Sequence, residues 1–400
     1  MITSEIIIIL CVLLLLAYAF DLSSSRTRVP AVVLLLLSGW LVRQGSIVLQ
    51  INIPDLSIVL PVLGTIGLIL ILLESSMELE LTRKKQPLII KSFFMALLPY
   101  VALTFILAWI FQYFGNTTFK AGMINAIPLC NLSSAVAIPS VRHLSGKNKE
   151  FVIYESNFSD VVGVLFFNLM LMGGTFGIET VGYFHLQIII MALISLVATL
   201  GLSILLNKIE HHIKFAPIIL IIVLIYVISD VYKLPGLIFI LIFGLFLANF
   251  SKIGHNKWIK KLKPEALEKE VTRFKDNATE MSFIIRSLFF LLFGFLMETS
   301  DILNTKTILW AIVIFAITYL VRFIWLKIFR LKLKPLFFIA PKGLFTIILY
   351  LTIPLSLTIP FINKSLIIQI IILSSLFMMF GLLATKKETE VRKKTESEKQ

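Results

Sequence analysis

The densest group of polar side chains within an apolar stretch of this 400-residue chain is YESNFSD, at residues 154–160. On a helix of 3.6 residues per turn, Ser156, Asn157 and Asp160 share one face, because they are spaced three and four residues apart. Glu155 points about 140° away from Asp160, so the two acids are expected to have different partners. A carboxylate beside hydroxyl and amide oxygens suits a hard monovalent cation. Because the same carboxylate can bind a proton instead, the spacing predicts one site that holds either ion.

A second polar patch lies in the apolar stretch before this cluster. Pro128 and Pro139 bracket the side chains of Asn131, Ser133 and Ser134. Two prolines this close in an apolar stretch predict a helix that is interrupted near the middle of the membrane. Interrupted membrane helices expose backbone carbonyls and helix ends that can coordinate ions. Later in the chain, Lys342 stands between a proline and a glycine, which predicts a second broken helix that carries a charge.

The elements that carry these residues are predicted to be membrane helices. Hydrophobic residues make up 58% of the chain and charged residues only 15%, against about 25% charged residues in ordinary soluble domains. This composition excludes a soluble enzyme. A bilayer core needs about 20 apolar residues per helical span. The apolar runs therefore predict an all-α polytopic membrane protein with thirteen transmembrane helices, at residues 5–20, 29–46, 57–77, 88–114, 119–141, 150–173, 186–206, 215–231, 235–250, 281–298, 305–329, 335–356 and 365–384.

The net charge of +14 follows this topology rather than indicating a nucleic-acid partner. Most of the 37 lysine and arginine residues fall in every second connecting segment. By the positive-inside rule, the N-terminus is outside and the C-terminus is cytoplasmic. Residues 1–384 are expected to form one transmembrane domain. Within it, 251–280 would be a cytoplasmic interfacial linker between halves, and 385–400 a short, charged and unstructured cytoplasmic tail.

The two broken helices also predict the symmetry of the fold. They are the fifth and twelfth spans, and a shift of seven spans gives matching helices opposite orientations. Spans 1–6 and 8–13 are then expected to form two inverted six-helix repeats, with the broken helices crossing near the midplane. This architecture is typical of secondary transporters.

These residues resemble the monovalent cation:proton antiporter family, the sodium/proton exchangers. The sixth helix of that family carries Glu-Ser-x-x-Asn-Asp, which residues 155–160 match except for Ser159 in place of Asn. The third-helix acid of the family resembles Glu74, which precedes a basic turn at residues 83–85. Thr-Asp-Pro in the fifth helix is matched by Ser-Ser-Ala at residues 133–135.

Two further motifs extend the resemblance over the whole membrane region. The eleventh-helix arginine of the family falls on Arg322, and the Leu-Arg-Gly motif of its twelfth helix falls on Pro-Lys-Gly at residues 341–343. The resemblance implies a core domain that carries Asp160 and a second domain that forms a homodimer interface. It also implies that Glu155 and Arg322 form an ion pair within the core.

The resemblance further implies that Asp160 alternately holds a monovalent metal cation and protons. Ser156, Glu74 and the carbonyls around Ser133 and Ser134 would complete the coordination. Since this chain lacks the Asp of Thr-Asp-Pro and has Ser159 for Asn, the identity of the ion and the stoichiometry do not carry over. The full predicted cation and proton site consists of Asp160, Ser156, Asn157, Ser159, Glu74, Ser133, Ser134 and Asn131.

The sequence thus predicts exchange of Na⁺ or K⁺ for H⁺ by alternating access in the plasma membrane. The expected partners are these ions, membrane lipid and a second copy of the chain, with no cofactor and no enzymatic activity. An intramembrane aspartyl protease would need two facing aspartates, and only Asp160 lies deep in a span. A sodium-coupled organic solute carrier and a passive cation channel remain as alternatives.

Overall fold

A computed structural model gives the architecture of the chain. It describes residues 2–27, 29–50, 56–141, 144, 146–171, 178–208, 215–232, 234–253 and 264–397. All regular secondary structure in these segments is helical. The helices, numbered in chain order, are α1 Ile2–Thr27, α2 Ala31–Val48, α3 Val59–Ser76, α4 Gln86–Gly115, α5 Phe119–Cys130, α6 Ser134–Ser140, α7 Lys147–Leu171, α8 Ile178–Lys208, α9 Phe215–Val231, α10 Leu237–Ile253, α11 Pro264–Phe295, α12 Thr299–Ile302, α13 Thr305–Ile328, α14 Leu333–Leu336, α15 Leu344–Leu351 and α16 Lys364–Ser397.

Many of these helices are suited to a membrane. Eight stretches of described helix are long and apolar enough to cross a bilayer, and three shorter apolar helices lie at Ile8–Ser23, Phe215–Val231 and Leu237–Phe250. Each of the thirteen predicted spans coincides with a helix or with a pair of helices separated by a break. The prediction of an all-helical membrane protein is therefore confirmed, whereas the exact count of thirteen spans stays a prediction.

The structure changes two boundaries in the second half. The predicted linker at 251–280 is not a separate helix in its described part, because residues 264–280 form the first half of the long helix α11. Residues 254–263 of that linker lie outside the described residues. The tail was expected to be unstructured, but α16 continues through it to Ser397. Lysine, arginine and glutamate are good helix formers, so a polar segment that follows an apolar helix can extend it.

The chain divides into two compact units. The first contains Met1–Pro61, Ile90–Asp160 and Ser287–Gln400. The second contains Val62–Ile89 and Val161–Arg286. The polar cluster around Asp160, both broken helices and Arg322 all belong to the first unit.

Side-chain caps define where two helices of the first unit begin. The hydroxyl of Thr118 accepts a hydrogen bond from the Ala121 N–H at 3.2 Å at the start of α5. The Asn304 carboxamide accepts one from the Lys306 N–H at 3.1 Å at the start of α13. Such caps satisfy N–H groups that have no acceptor inside the helix. They set the start of α5, which leads into the first break, and the start of α13, which carries Arg322.

Candidate ion-binding site

The first break separates α5 from α6. Residues 131–133 leave the helix, and Asn131 and Ser133 have extended backbone angles with ψ of 142° and 116°. The Leu132 N–H donates to the Ser159 hydroxyl at 2.9 Å, so a side chain of α7 replaces the lost helical acceptor. This bond matters because a buried N–H without an acceptor is strongly unfavourable.

The second break separates α14 from α15 and meets the first. The Ser133 N–H donates to the Pro341 carbonyl at 3.0 Å, which joins the two breaks directly. Gly343 permits this approach, since a Cβ at that position would lie 2.6 Å from Val136 Cγ2 and 2.7 Å from Ser133 Oγ. The Lys342 N–H donates to the Ser374 hydroxyl at 3.0 Å, which fixes this break to α16.

Lys342 supplies positive charge where α5 ends. Its Nζ donates to the Asn131 carbonyl at 2.8 Å, and the residue is only 2% exposed. The C-terminal end of a helix carries partial negative charge on its free carbonyls. The ammonium group of Lys342 therefore stabilises the interrupted end of α5. Lys342 has no carboxylate partner among the described residues.

Asp160 lies beside the first break and is completely buried. Its Oδ1 accepts a hydrogen bond from Asn131 Nδ2 at 2.7 Å, and its Oδ2 accepts one from the Ser134 N–H at 3.3 Å. No described lysine, arginine or histidine lies within ion-pair distance of this carboxylate. A buried carboxylate is normally paired or bound to a cation. Asp160 therefore has hydrogen-bond donors but no counter-charge from the described chain.

Glu155 has the opposite environment. Its two carboxylate oxygens accept hydrogen bonds from Arg322 Nη1 at 2.8 Å and from Nη2 at 3.1 Å. A third side-chain N–H of Arg322, at Nε, donates to the Leu336 carbonyl at 2.8 Å. Both side chains are buried, at 1% and 7% exposure. This two-pronged geometry is the strong form of an arginine–carboxylate contact, and it neutralises both charges inside the first unit.

The other residues of the predicted site fall into three groups. Ser156 and Asn157 are buried on α7 near Asp160, and the Ser156 hydroxyl donates to the Ile153 carbonyl at 3.3 Å. The Ser133 and Ser134 hydroxyls are both buried, and neither has a hydrogen-bond partner in the described chain. Glu74 is half-buried on α3, in the second unit, and its part in ion binding stays a prediction.

A small cavity of about 40 Å³ lies next to the site. This volume is enough for water, which needs about 10–15 Å³ and several polar partners. The polar residues of its wall include Tyr100, Glu155, Ser159, Arg322 and Lys342. Asp160 is not among the residues that line it.

Sequence reasoning did not identify Tyr100 or Ser374 as neighbours of this region. The Tyr100 hydroxyl donates to the Ile127 carbonyl at 2.7 Å, one turn before the first break. Both residues lie in ordinary apolar helical sequence, and only tertiary packing brings them to the broken helices. No pattern in the sequence signals their position.

Comparison with known proteins identifies the family. The family described as "Sodium/hydrogen exchanger, transmembrane" matches residues 10–385, almost the whole chain. The chain belongs to the sodium/hydrogen exchanger family. This membership confirms the family that the sequence predicted, and the chain is a cation/proton antiporter. The family is a family of transporters and not a class of enzymes. It does not favour the solute-carrier and channel alternatives.

Solved structures agree with the fold. The chain is similar to the sodium proton antiporter MjNhaP1 from Methanocaldococcus jannaschii in a structure determined at pH 8, with a TM-score of 0.65, 21% identity and coverage of 96% of both chains. A structure of the same antiporter from an electron-microscopy map gives a TM-score of 0.67, 18% identity and coverage of 95% of both chains. No curated protein matches the sequence.

Proposed function

We propose that this exchanger uses Asp160 as the single carboxylate that holds Na⁺ and H⁺ in turn. The observation that carries the proposal is the contrast between the two acids of α7. Glu155 is neutralised by Arg322 at 2.8 Å, whereas Asp160 has hydrogen-bond donors and no described counter-charge. A buried carboxylate without a counter-charge is favourable only when a bound ion neutralises it.

The oxygen atoms near Asp160 suit a small monovalent cation. Hard cations bind oxygen ligands, including carboxylates, hydroxyls and backbone carbonyls. The Ser156 hydroxyl gives its proton to Ile153 and keeps its lone pairs, and the Ser133 hydroxyl has no partner in the described chain. We propose these two hydroxyl oxygens, together with Asp160, as the ligands that the first unit offers to the cation.

Competition between the ions then produces exchange. When Asp160 is protonated it has lost the negative charge that attracts a cation, and when a cation is bound the proton is excluded. If the loaded site is exposed to one side of the membrane at a time, each ion crosses only in exchange for the other. The driving force is the gradient of either ion, and no covalent step is needed.

Substitution of Asp160 tests this proposal. Asp160→Asn keeps the size and shape of the side chain, but it replaces one acceptor oxygen with an NH₂ group and removes the charge that both ions neutralise. In vesicles containing the purified protein, we expect the variant to lose sodium-driven proton movement almost completely. Asp276→Asn is a matched control, because Asp276 is an exposed acid on α11. Exchange at the normal rate in Asp160→Asn would exclude Asp160 as the shared site.

The finer features of the exchanger are proposals of the same kind. We propose that the exchanged cation is Na⁺ or K⁺, that the protein works as a homodimer in the plasma membrane, and that its N-terminus is outside. Vesicle assays with each cation test the first point, and the mass of the detergent-solubilised protein tests the second. Labelling of single cysteines introduced at Lys306 and Lys332 from either side of intact cells tests the orientation, since these two residues lie in segments of opposite predicted sidedness.

A further inference from the structure

We infer that Ser159 and Asn131 are positioning residues: Ser159 holds the Asn131 carboxamide with its NH₂ group, and not its oxygen, toward Asp160. The inference rests on the proposed role of Asp160 as the shared ion site. It replaces the ligand role that the sequence predicted for these two residues. Both are buried; Asn131 is the first residue of the first break, and Ser159 bonds Asn131 and Leu132 within it.

The series of hydrogen bonds starts at a backbone N–H, which can only donate. The Leu132 N–H donates to Ser159 Oγ at 2.9 Å. A serine hydroxyl has one proton of its own, which it can give to one acceptor. Its acceptor here is Asn131 Oδ1 at 3.1 Å. This bond places the Asn131 oxygen toward Ser159.

This direction continues to the ion site. With its oxygen on Ser159, Asn131 directs Nδ2 to Asp160 Oδ1 at 2.7 Å. The reversed carboxamide would place its oxygen against an ionised carboxylate, which is also an acceptor, and would leave the Ser159 proton without an acceptor. Three bonds thus fix a side-chain orientation that the carboxamide alone would leave open.

The backbone of Asn131 is fixed as well. Lys342 Nζ donates to the Asn131 carbonyl at 2.8 Å, and two residues later the Ser133 N–H donates to the Pro341 carbonyl in the second break. These bonds hold the backbone position from which the carboxamide reaches Asp160. Its NH₂ group stabilises the ionised carboxylate between ion-binding events, and its oxygen is not offered to the cation. Asn131 and Ser159 consequently set how strongly a proton competes at Asp160.

Removal of the Ser159 hydroxyl tests the inference. In Ser159→Ala the Asn131 carboxamide loses the bond that orients it, so the donor to Asp160 is weakened and protons compete more strongly. We expect the pH at which sodium-driven exchange in vesicles is half-maximal to move upward by about one unit, the size expected for one hydrogen bond to a charged group. Ser159→Thr keeps a hydroxyl and should return this pH profile, the dependence of exchange on pH, toward that of the native protein.

A double substitution separates positioning from a general structural effect. Asn131→Ala should shift the profile in the same direction, and adding Ser159→Ala to it should cause no further shift, because Ser159 acts through Asn131. Ser140→Ala is the matched control, since Ser140 is a buried serine of α6 whose hydroxyl, among the described residues, bonds only the Val136 carbonyl of its own helix. It should leave the profile unchanged.

The outcomes distinguish this inference from the proposed function. The positioning role is wrong if Ser159→Ala leaves the pH dependence of exchange unchanged. It is also wrong if Ser159→Ala shifts that dependence equally in the native protein and in Asn131→Ala. In both cases Asp160→Asn would still abolish exchange, so the proposed function would stand. If Ser159→Ala does not fold, Asn131→Ala alone decides, because an unshifted profile in that variant also overturns the inference. Full exchange by Asp160→Asn would instead remove the proposed function on which the inference rests.

Discussion

The buried pair of Glu155 and Arg322 places two full charges in the interior of the first unit. Removal of one partner leaves the other charge buried and unpaired, which typically destabilises a protein by about 3–5 kcal/mol. We therefore expect Arg322→Met to lower the melting temperature in detergent strongly, and Glu155→Gln/Arg322→Met to recover much of the loss. Lys306→Gln, an exposed change on the same helix α13, should have little effect. A double variant less stable than Arg322→Met would contradict this account of the pair.

At the residue scale, the sequence predicted the directions in which side chains point better than the residues that they contact. The helical wheel turns Glu155 away from Asp160, and in the structure the two acids do have different partners. The pairing of Glu155 with Arg322 came from the family resemblance, because the two residues are 167 positions apart. The orientation of the Asn131 carboxamide could not be predicted, since it depends on a backbone N–H that is free only where α5 is broken.

At the scale of helices, α2 and α11 cross at a pair of glycines. A Cβ on Gly39 would lie 2.1 Å from the Leu291 carbonyl oxygen, and one on Gly294 would lie 2.3 Å from that of Leu36. Because these contacts are to backbone, Gly39→Ala must push the helices apart, at about 1–3 kcal/mol. Gly45 lies on the same helix, and a Cβ there would meet no atom within 4 Å. Gly45→Ala should therefore be neutral or stabilising. Equal melting temperatures for the two variants in detergent would contradict the close crossing.

A second helix contact depends on pH. Asp301 of α12 accepts a hydrogen bond from the Ser365 hydroxyl at 2.9 Å and lies 3.1 Å from Lys364 Nζ, at the start of α16. Partial burial opposes ionisation of Asp301, but the hydrogen bonds from Ser365 and Lys364 and the charge of Lys364 outweigh it and hold its pKa below the usual value. A lowered pKa stabilises the folded protein at neutral pH, and this contribution is lost as the pH falls through the lowered value.

The corresponding variant is Asp301→Asn. We expect a modest fall in melting temperature at neutral pH, equivalent to about 1 kcal/mol or less because Lys364 is partly exposed. The difference from the native protein should shrink below about pH 4, where the Asp301 carboxyl takes up a proton in the unfolded chain more readily than in the folded protein. Melting curves in detergent over that range measure it, with Glu280→Gln as an exposed control. A difference that does not change with pH would exclude the ionised Asp301 as its cause.

Helix existence was predictable and helix breaks were predictable in part. Apolar runs of sufficient length define each span, and paired prolines locate the first break near residues 131–133. The second break is wider than its sequence suggests, because α14 ends at Leu336 and α15 begins only at Leu344. Its non-helical segment is held by tertiary bonds such as that from the Lys342 N–H to Ser374, which no local pattern encodes.

At the scale of the whole molecule, the division into two units separates the predicted ligands. The chain passes from the first unit to the second between Asp160 and Val161, in the middle of α7. Asp160, Asn131 and Arg322 belong to the first unit, and Glu74 belongs to the second. The sequence predicted a two-domain exchanger through the family resemblance alone. Inverted repeats and sidedness remain predictions at this scale.

The behaviour of the complete exchanger provides a test that no single contact gives. If Na⁺ and H⁺ compete for one carboxylate, lower pH should raise the sodium concentration needed for half-maximal exchange and leave the rate at saturating sodium unchanged. For one competing proton, the increase approaches about tenfold per pH unit on the acid side. Vesicles that contain the purified protein, with a pH-sensitive dye and sodium titrations at several pH values, measure both quantities. A constant half-saturating concentration combined with a falling maximal rate would instead place the proton and the cation at separate sites.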